Sequence, residues 1–173
     1  MNVLELFKNI STFIFDVDGV LTDGTVLVLD NGLQARRMHI KDGFALQMAI
    51  KNNYNVLIVS GGSSPQVVGR LERLGIRDVH MSVSDKKKFV ADYMEEKGLL
   101  PEKVLYMADD LPDLPVMKLV GLPCCPADAV IEIKEAVQYI SPLAGGNACV
   151  RDVIEKVLRL NDHWNYREDV ASK

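Results

Sequence analysis

Cysteine is scarce in this chain: three residues in 173, with Cys124 and Cys125 adjacent and Cys149 apart. Their number and spacing exclude a zinc site or a disulfide framework, and two neighbouring thiols in an apolar stretch read as buried groups. No run approaches the roughly 18 apolar residues that a membrane helix needs. The N-terminus lacks a basic stretch followed by a hydrophobic one, so a cytoplasmic location is expected, with no membrane partner. Positive charge is also short. The formal net charge is −4 and no charge run suggests a basic patch, which argues against nucleic acid as a partner. Lys86-Lys87-Lys88 is brief and lies within a helical pattern, so two of its members read as solvated. No internal repeat, low-complexity segment or long linker interrupts the chain. At 173 residues, 48% hydrophobic and 25% charged, it fits one globular domain, taken as 1–160 with a tail at 161–173.

What the chain does have is carboxylates at the ends of apolar runs. Thr12-Phe13-Ile14-Phe15 stops abruptly in Asp16-Val17-Asp18-Gly19. Acids beside a buried strand repel one another and lose hydration, so a divalent cation or a shared proton usually compensates them. A plain turn is the alternative, since Asp and Gly dominate turns for backbone reasons. Further polar groups follow later runs: Ser60-Gly61-Gly62 after 55–59, Lys86 after 78–81, and Asp109-Asp110 with Asp113 after 104–108. In an open parallel sheet the carboxyl ends of the strands share one edge, so these clusters would converge on one crevice.

Alternating strands and helices predict an α/β fold, a doubly wound, Rossmann-like parallel sheet with helices on both faces. Helices are expected over 44–51, 65–74, 85–97, 113–119, 128–136 and 148–160, and short late strands over 119–123 and 138–141. The second helix is the clearest, with Ser64-Pro65 as cap and first turn, Val67, Val68, Leu71 and Leu74 as one stripe, and Gly75 as a stop. One segment breaks the alternation. Residues 25–29 and 34–40, joined by Asp30-Asn31-Gly32, predict a small β-hairpin insert after strand 1.

Asp16-x-Asp18-Gly-Val, Ser60, Lys86 and Asp109-Asp110-x-x-Asp113 resemble the four motifs of the haloacid dehalogenase-like superfamily. The stretches 16–24, 40–43 and 109–117, with Ala144-Gly145-Gly146 and Val150-Arg151-Asp152, resemble its capless branch, the 3-deoxy-D-manno-octulosonate 8-phosphate phosphatases. Phosphatases of nine-carbon sialic-type sugar acids share most of these features and give the alternative substrate. The resemblance implies Asp16 as the nucleophile that becomes a transient aspartyl-phosphate and Asp18 as general acid, then general base. It implies Mg2+ held by Asp16, the Asp18 carbonyl and Asp109. Ser60 and Lys86 would meet the phosphate oxygens. Asp110 and Asp113 would orient Lys86 or metal-bound water, though Asp113 also suits a helix N-terminus. Gly61, Lys41 and Arg151 become substrate-binding candidates. Arg36 and Arg37 share with Lys41 and Arg151 the capacity to pair with a carboxylate or phosphate, surface charge being the alternative for each. His39 and His80 read as ordinary structural histidines.

The insert is too small for a cap domain, and an isolated hairpin exposes its strand edges. In the branch it resembles, such hairpins assemble a tetramer whose subunits complete each other's sites, so a homotetramer is expected. The tail, with His163, Trp164, Tyr166 and Arg167, is expected to dock over an adjacent subunit's crevice, disorder being the default for such a terminus. Three departures from the branch stand out: Ala108 where Gly is usual before the paired acids, Gly62-Ser63 where a basic residue often follows Ser-Gly, and Asn147-Ala148 after Gly146. Other classes fit the sequence less well. A receiver-type signalling domain uses similar groups, but its paired acids precede its phosphorylated Asp. A catalytically idle regulatory or assembly module would be expected to lack Asp18. A phosphomutase normally needs a cap.

Overall fold

The computed structural model describes residues 2–165 and 168–170. Its frame is a six-stranded parallel sheet of β1 (Thr12–Phe15), β4 (Asn55–Val59), β5 (Asp78–His80), β6 (Val104–Met107), β7 (Leu122–Cys125) and β8 (Tyr139–Ile140), in the order β5-β4-β1-β6-β7-β8. The expected doubly wound architecture is present. Strand β1 lies between β4 and β6, pairing Phe15 with Ile58 on one side and Met107 on the other. The chain therefore reverses its direction of winding at β1, and a crevice opens at the carboxyl ends of the central strands.

Strand alternation builds two cores. Phe13, Phe15, Ile58 and Met107 pack on one face against α2 (Ile40–Lys51), α3 (Pro65–Arg73), α7 (Cys149–Leu160) and Phe7 of α1 (Val3–Asn9). Ile14, Leu57, Tyr106 and Ala108 pack on the other against α4 (Lys86–Glu96), α5 (Leu114–Met117) and α6 (Ile131–Ala136). Each fully buried large aliphatic side chain contributes roughly 1.5–3 kcal/mol by leaving water. Cys124, Cys125 and Cys149 are free, buried thiols. Among the described residues, no helix is long and apolar enough to cross a membrane.

Several boundaries differ from expectation. Helix α1 was not anticipated; the Asn2 side chain caps it by accepting the Leu4 amide at 3.1 Å. Helix α2 begins at Ile40 rather than 44, because His39 Nδ1 accepts the Lys41 amide at 3.1 Å. Strand β7 runs on through Pro123 into both cysteines, whose side chains alternate between the two cores. The hairpin is shorter than 25–40. Only β2 (Leu27–Val28) and β3 (Gln34–Ala35) pair in it, and a lone bridge joins Thr22 to Met38. Leu27 and Val28 are 64% and 67% exposed.

The described part of the tail lies on its own chain. His163 Nδ1 meets the Tyr54 hydroxyl at 2.9 Å, and Trp164 stands edge-on to Phe44 at 6.0 Å between ring centroids. Arg151 lies 5.3 Å over the Trp164 ring, and Lys51 pairs with Asp169 at 3.1 Å. Within the chain, Phe44 and Arg151 offer Trp164 an aromatic and cationic seat next to the point where the tail leaves α7. Tyr166 and Arg167 lie outside the described residues.

Candidate active site

The crevice holds a cavity of about 270 Å³ lined by Asp16, Asp18, Ser60, Gly61, Lys86, Asp109, Asp110 and Asp113, together with Gly24, Gly62 and Pro112. Four segments distant in sequence meet there because three central strands and the start of α4 end at one sheet edge. Lys41 and Arg151 are not brought to it. They line a separate cavity of about 470 Å³ beside α7, with Lys156, Arg159 and their acidic partners.

Asp16 follows β1 directly, and its amide donates to the Met107 carbonyl at 3.1 Å. Its Oδ1 accepts the Val17 amide at 2.7 Å and lies 3.0 Å from Lys86 Nζ. Both donors fall on one oxygen, which leaves Oδ2 for bond formation. The loop then turns back through Gly19, at φ +82°, and Thr22 staples it: the Gly19 amide donates to Thr22 Oγ1 at 3.2 Å. A Cβ on Gly19 would stand 1.9 Å from Asp109 Oδ2. Only glycine lets the late acid press against the first acidic loop. From outside, Gly145 packs so tightly that a Cβ there would stand 1.9 Å from the Gly19 carbonyl oxygen.

Ser60 is buried. Its Oγ accepts the Gly62 amide at 3.1 Å, so the hydroxyl proton is left for another acceptor. Lys86, capped into α4 by Asp85, places Nζ 2.9 Å from both oxygens of Asp113 and 3.0 Å from Asp16. The Tyr106 hydroxyl donates to Asp113 Oδ1. Asp113 and Tyr106 are fully enclosed. Asp110 instead caps its own turn, its Oδ1 accepting the Leu111 amide at 2.8 Å.

Desolvation and, next, the Asp113 charge push Asp16 up to about 7 despite Lys86. Desolvation and then Asp110 push Asp109 up to about 6. Burial opposes the Lys86 charge, but Asp16 and Asp113 outweigh it and hold the ammonium above its ordinary range. Two carboxylates that resist ionisation and line one cavity are candidate donors for a hard cation. Among the described residues no three His, Cys, Asp or Glu side chains are grouped to hold a metal. A cation here would need backbone or water oxygens as well, which suits magnesium, an ion bound through one or two carboxylates and several waters.

Asp18 is half-exposed and pairs with Arg36 from the hairpin, Nε to Oδ1 at 2.6 Å and a second guanidinium nitrogen to Oδ2 at 3.4 Å. Sequence reasoning marked Arg36 as able to grip an oxyanion and missed this partner, which only the hairpin's fold-back reveals. Arg37 pairs with Asp23 on the surface at 2.8 Å. Tyr106 and Thr22 were missed altogether. The one visible sign was a hydroxyl inside the apolar run Val104-Leu105-Tyr106-Met107. His39 caps α2 and His80 packs on Phe89, both structural. Ala108 is not among the residues with positive φ, so its methyl is accommodated without backbone strain.

No family model matches the chain. Individual proteins do. The 3-deoxy-D-manno-octulosonate 8-phosphate phosphatase KdsC of Salmonella typhi is 35% identical over 157 residues, spanning 91% of this chain and 84% of that protein. The crystal structure of the phosphatase of that name from Yersinia pestis superposes with a TM-score of 0.91 at 30% identity, covering 99% of this chain and 91% of that one. The Moraxella catarrhalis phosphatase, in complex with magnesium ion, phosphate ion and KDO, gives a TM-score of 0.89 at 28% identity, with 93% of each chain covered. The chain thus belongs to the 3-deoxy-D-manno-octulosonate 8-phosphate phosphatase family of the haloacid dehalogenase-like superfamily, a family of phosphoric monoester hydrolases.

Proposed function

We propose that this protein hydrolyses 3-deoxy-D-manno-octulosonate 8-phosphate to the free sugar acid and phosphate, with Mg2+ as cofactor and Asp16 as nucleophile. The observation that carries this reading is the gathering of Asp16, Ser60, Lys86 and Asp109 around one crevice in a chain whose relatives bear that activity in their names. The substrate comes from those relatives; the chemistry comes from the residues.

Asp16 Oδ2 attacks phosphorus and the bond from phosphorus to the sugar oxygen breaks. The carboxyl of Asp18 gives its proton to that departing oxygen. As carboxylate, Asp18 then takes a proton from water, whose oxygen attacks the aspartyl-phosphate and frees Asp16 and inorganic phosphate. Ser60 donates its hydroxyl proton, and Lys86 its charge, to non-bridging oxygens as charge spreads over them. Magnesium, held by Asp16, Asp109 and the Asp18 carbonyl, would neutralise the repulsion between an anionic nucleophile and an anionic ester. Asp113 holds Lys86 in place. Arg36 occupies Asp18 in the free enzyme and is the nearest hairpin cation for the carboxylate of a sugar acid.

The same reading includes a homotetramer and a cytoplasmic setting. The hairpin leaves Leu27, Val28 and Leu33 exposed above a cavity of about 540 Å³ shared with α3, a surface that a second copy would cover. Lys41 and Arg151 would then act on substrate only across a subunit boundary. The test is a panel of phosphorylated sugar acids assayed with magnesium and with chelator. Preferred, metal-dependent turnover of the eight-carbon substrate is expected; preference for a nine-carbon sialic-type 9-phosphate would reassign the substrate, and equal slow turnover of every ester would overturn the reading.

A further inference from the structure

The catalytic lysine sits on a flexible four-carbon stem, yet its ammonium must stand in one place beside the nucleophile. Lys86 and Asp113 both belong to segments outside the sheet, the first turn of α4 and the short helical turn 111–113. Neither is fixed by strand pairing. Tyr106 is. It lies on β6, opposite Ile14 of β1, two residues before Asp16. Its ring is wholly buried in the core formed by Ile14, Val90, Val116 and Met117, and its hydroxyl donates to Asp113 Oδ1. Asp113 grips Lys86 with both oxygens at 2.9 Å, and Lys86 returns to Asp16 at 3.0 Å.

The contacts close a ring that starts and ends on paired strands: β6, Tyr106, Asp113, Lys86, Asp16, β1. We infer that Tyr106 is a positioning residue of the reaction, which transmits the rigid register of the two central strands through Asp113 to the ammonium of Lys86. Its hydroxyl fixes which way the Asp113 carboxylate faces, and so where Lys86 can reach. Phenylalanine would fill the same space and keep the core, but would leave Asp113 free to turn and share Lys86 less tightly with Asp16. This inference rests on the phosphoryl-transfer reading of the site.

The test compares the unaltered enzyme with Tyr106→Phe, Asp113→Asn and the double variant, each with magnesium. Readouts are kcat and KM, the thermal midpoint, and the calorimetric affinity for orthovanadate, a mimic of phosphorus in transfer. Loss of a hydrogen bond to a charged group predicts a fall of about tenfold in kcat for Tyr106→Phe with KM within about twofold, and a parallel fall in vanadate affinity. In the Asp113→Asn background the tyrosine change should add little, because the two residues act in series. A merely structural role would lower the midpoint and the active fraction while leaving the vanadate affinity of folded protein intact. Unchanged kcat and vanadate affinity in Tyr106→Phe, or losses that multiply in the double variant, would overturn the inference. Failure of the unaltered enzyme to bind vanadate or turn over any phosphate ester would instead refute the reading beneath it.

Discussion

Asp42 makes the sharpest prediction outside the reaction centre. It sits in the first turn of α2, almost fully buried, and its Oδ1 accepts the Arg151 amide of α7 at 2.7 Å. It thus caps a helix whose own cap position, Ala148, offers no side-chain bond. Its Oδ2 is buried without a hydrogen-bond partner. Burial drives the carboxyl from 3.8 up to about 7, against the pull of the α7 amides. Because the folded state raises this pKa, the stability held by the protonated group is fully present below pH 4 and is lost as pH rises through 7. At roughly 1.4 kcal/mol for each pKa unit, the full swing is about 4 kcal/mol. Asparagine keeps the accepting oxygen and cannot ionise. Its amide adds donors where Oδ2 has no partner, so Asp42→Asn should be the weaker protein in acid, by about 1–3 kcal/mol. It should overtake the natural chain near neutrality. Urea unfolding of both proteins in chelator, from about pH 4 to about pH 8, measures this. Asp16 and Asp109 titrate in both and cancel in the difference. Parallel stability profiles would show that Asp42 is ionised in the folded protein and would refute the argument.

Other perturbations follow from the same structure. Lys86→Met removes the counter-ion of two buried carboxylates, so besides abolishing turnover it should destabilise the protein by about 3–5 kcal/mol in denaturant titrations at neutral pH; a loss under about 1 kcal/mol would contradict the pairing described. Ala148 adopts a left-handed backbone at φ 74°. Ala148→Gly should therefore stabilise the chain by on the order of 1 kcal/mol, seen as a raised unfolding midpoint, and a lowered one would show the strain is absent. Magnesium should raise the thermal midpoint, and chelator should reverse it. Because Asp16 and Asp109 hold protons up to about 7 and about 6, calorimetric magnesium affinity should fall from about pH 8 to about pH 5.5; a pH-independent affinity would contradict those shifts.

Much of the site was legible in the sequence because its groups stand at the ends of strongly apolar runs. Asp16, Ser60 and Asp109 each follow a buried strand, and a parallel sheet places such residues on one edge without further information. What escaped was whatever depends on side chains meeting across the fold. Arg36 and Asp18 come together only because the hairpin bends over the loop, and nothing local announces it. Tyr106 looked like one more apolar strand residue, since its ring does pack in the core and only the hydroxyl reaches Asp113. Asp110 was expected to orient Lys86 or metal-bound water; of the two acids it is Asp113 that holds Lys86, while the Asp110 side chain accepts the Leu111 amide. Boundaries failed where an uncommon residue did a common job. A histidine started α2, and β7 continued past a proline because the Pro123 carbonyl still accepts the Gln138 amide at 3.0 Å. Lys41 and Arg151 were grouped with the reaction centre by resemblance, and the fold of one subunit places them in a different cavity.

The proposed reaction puts the phosphoryl group on Asp16 during turnover. Acid quenching of the magnesium-loaded enzyme mixed with radiolabelled sugar acid phosphate, followed by peptide mapping, tests it directly. Label is expected on the peptide that contains Asp16, and none in Asp16→Asn. Label on another residue, or rapid turnover in Asp16→Asn, would contradict it.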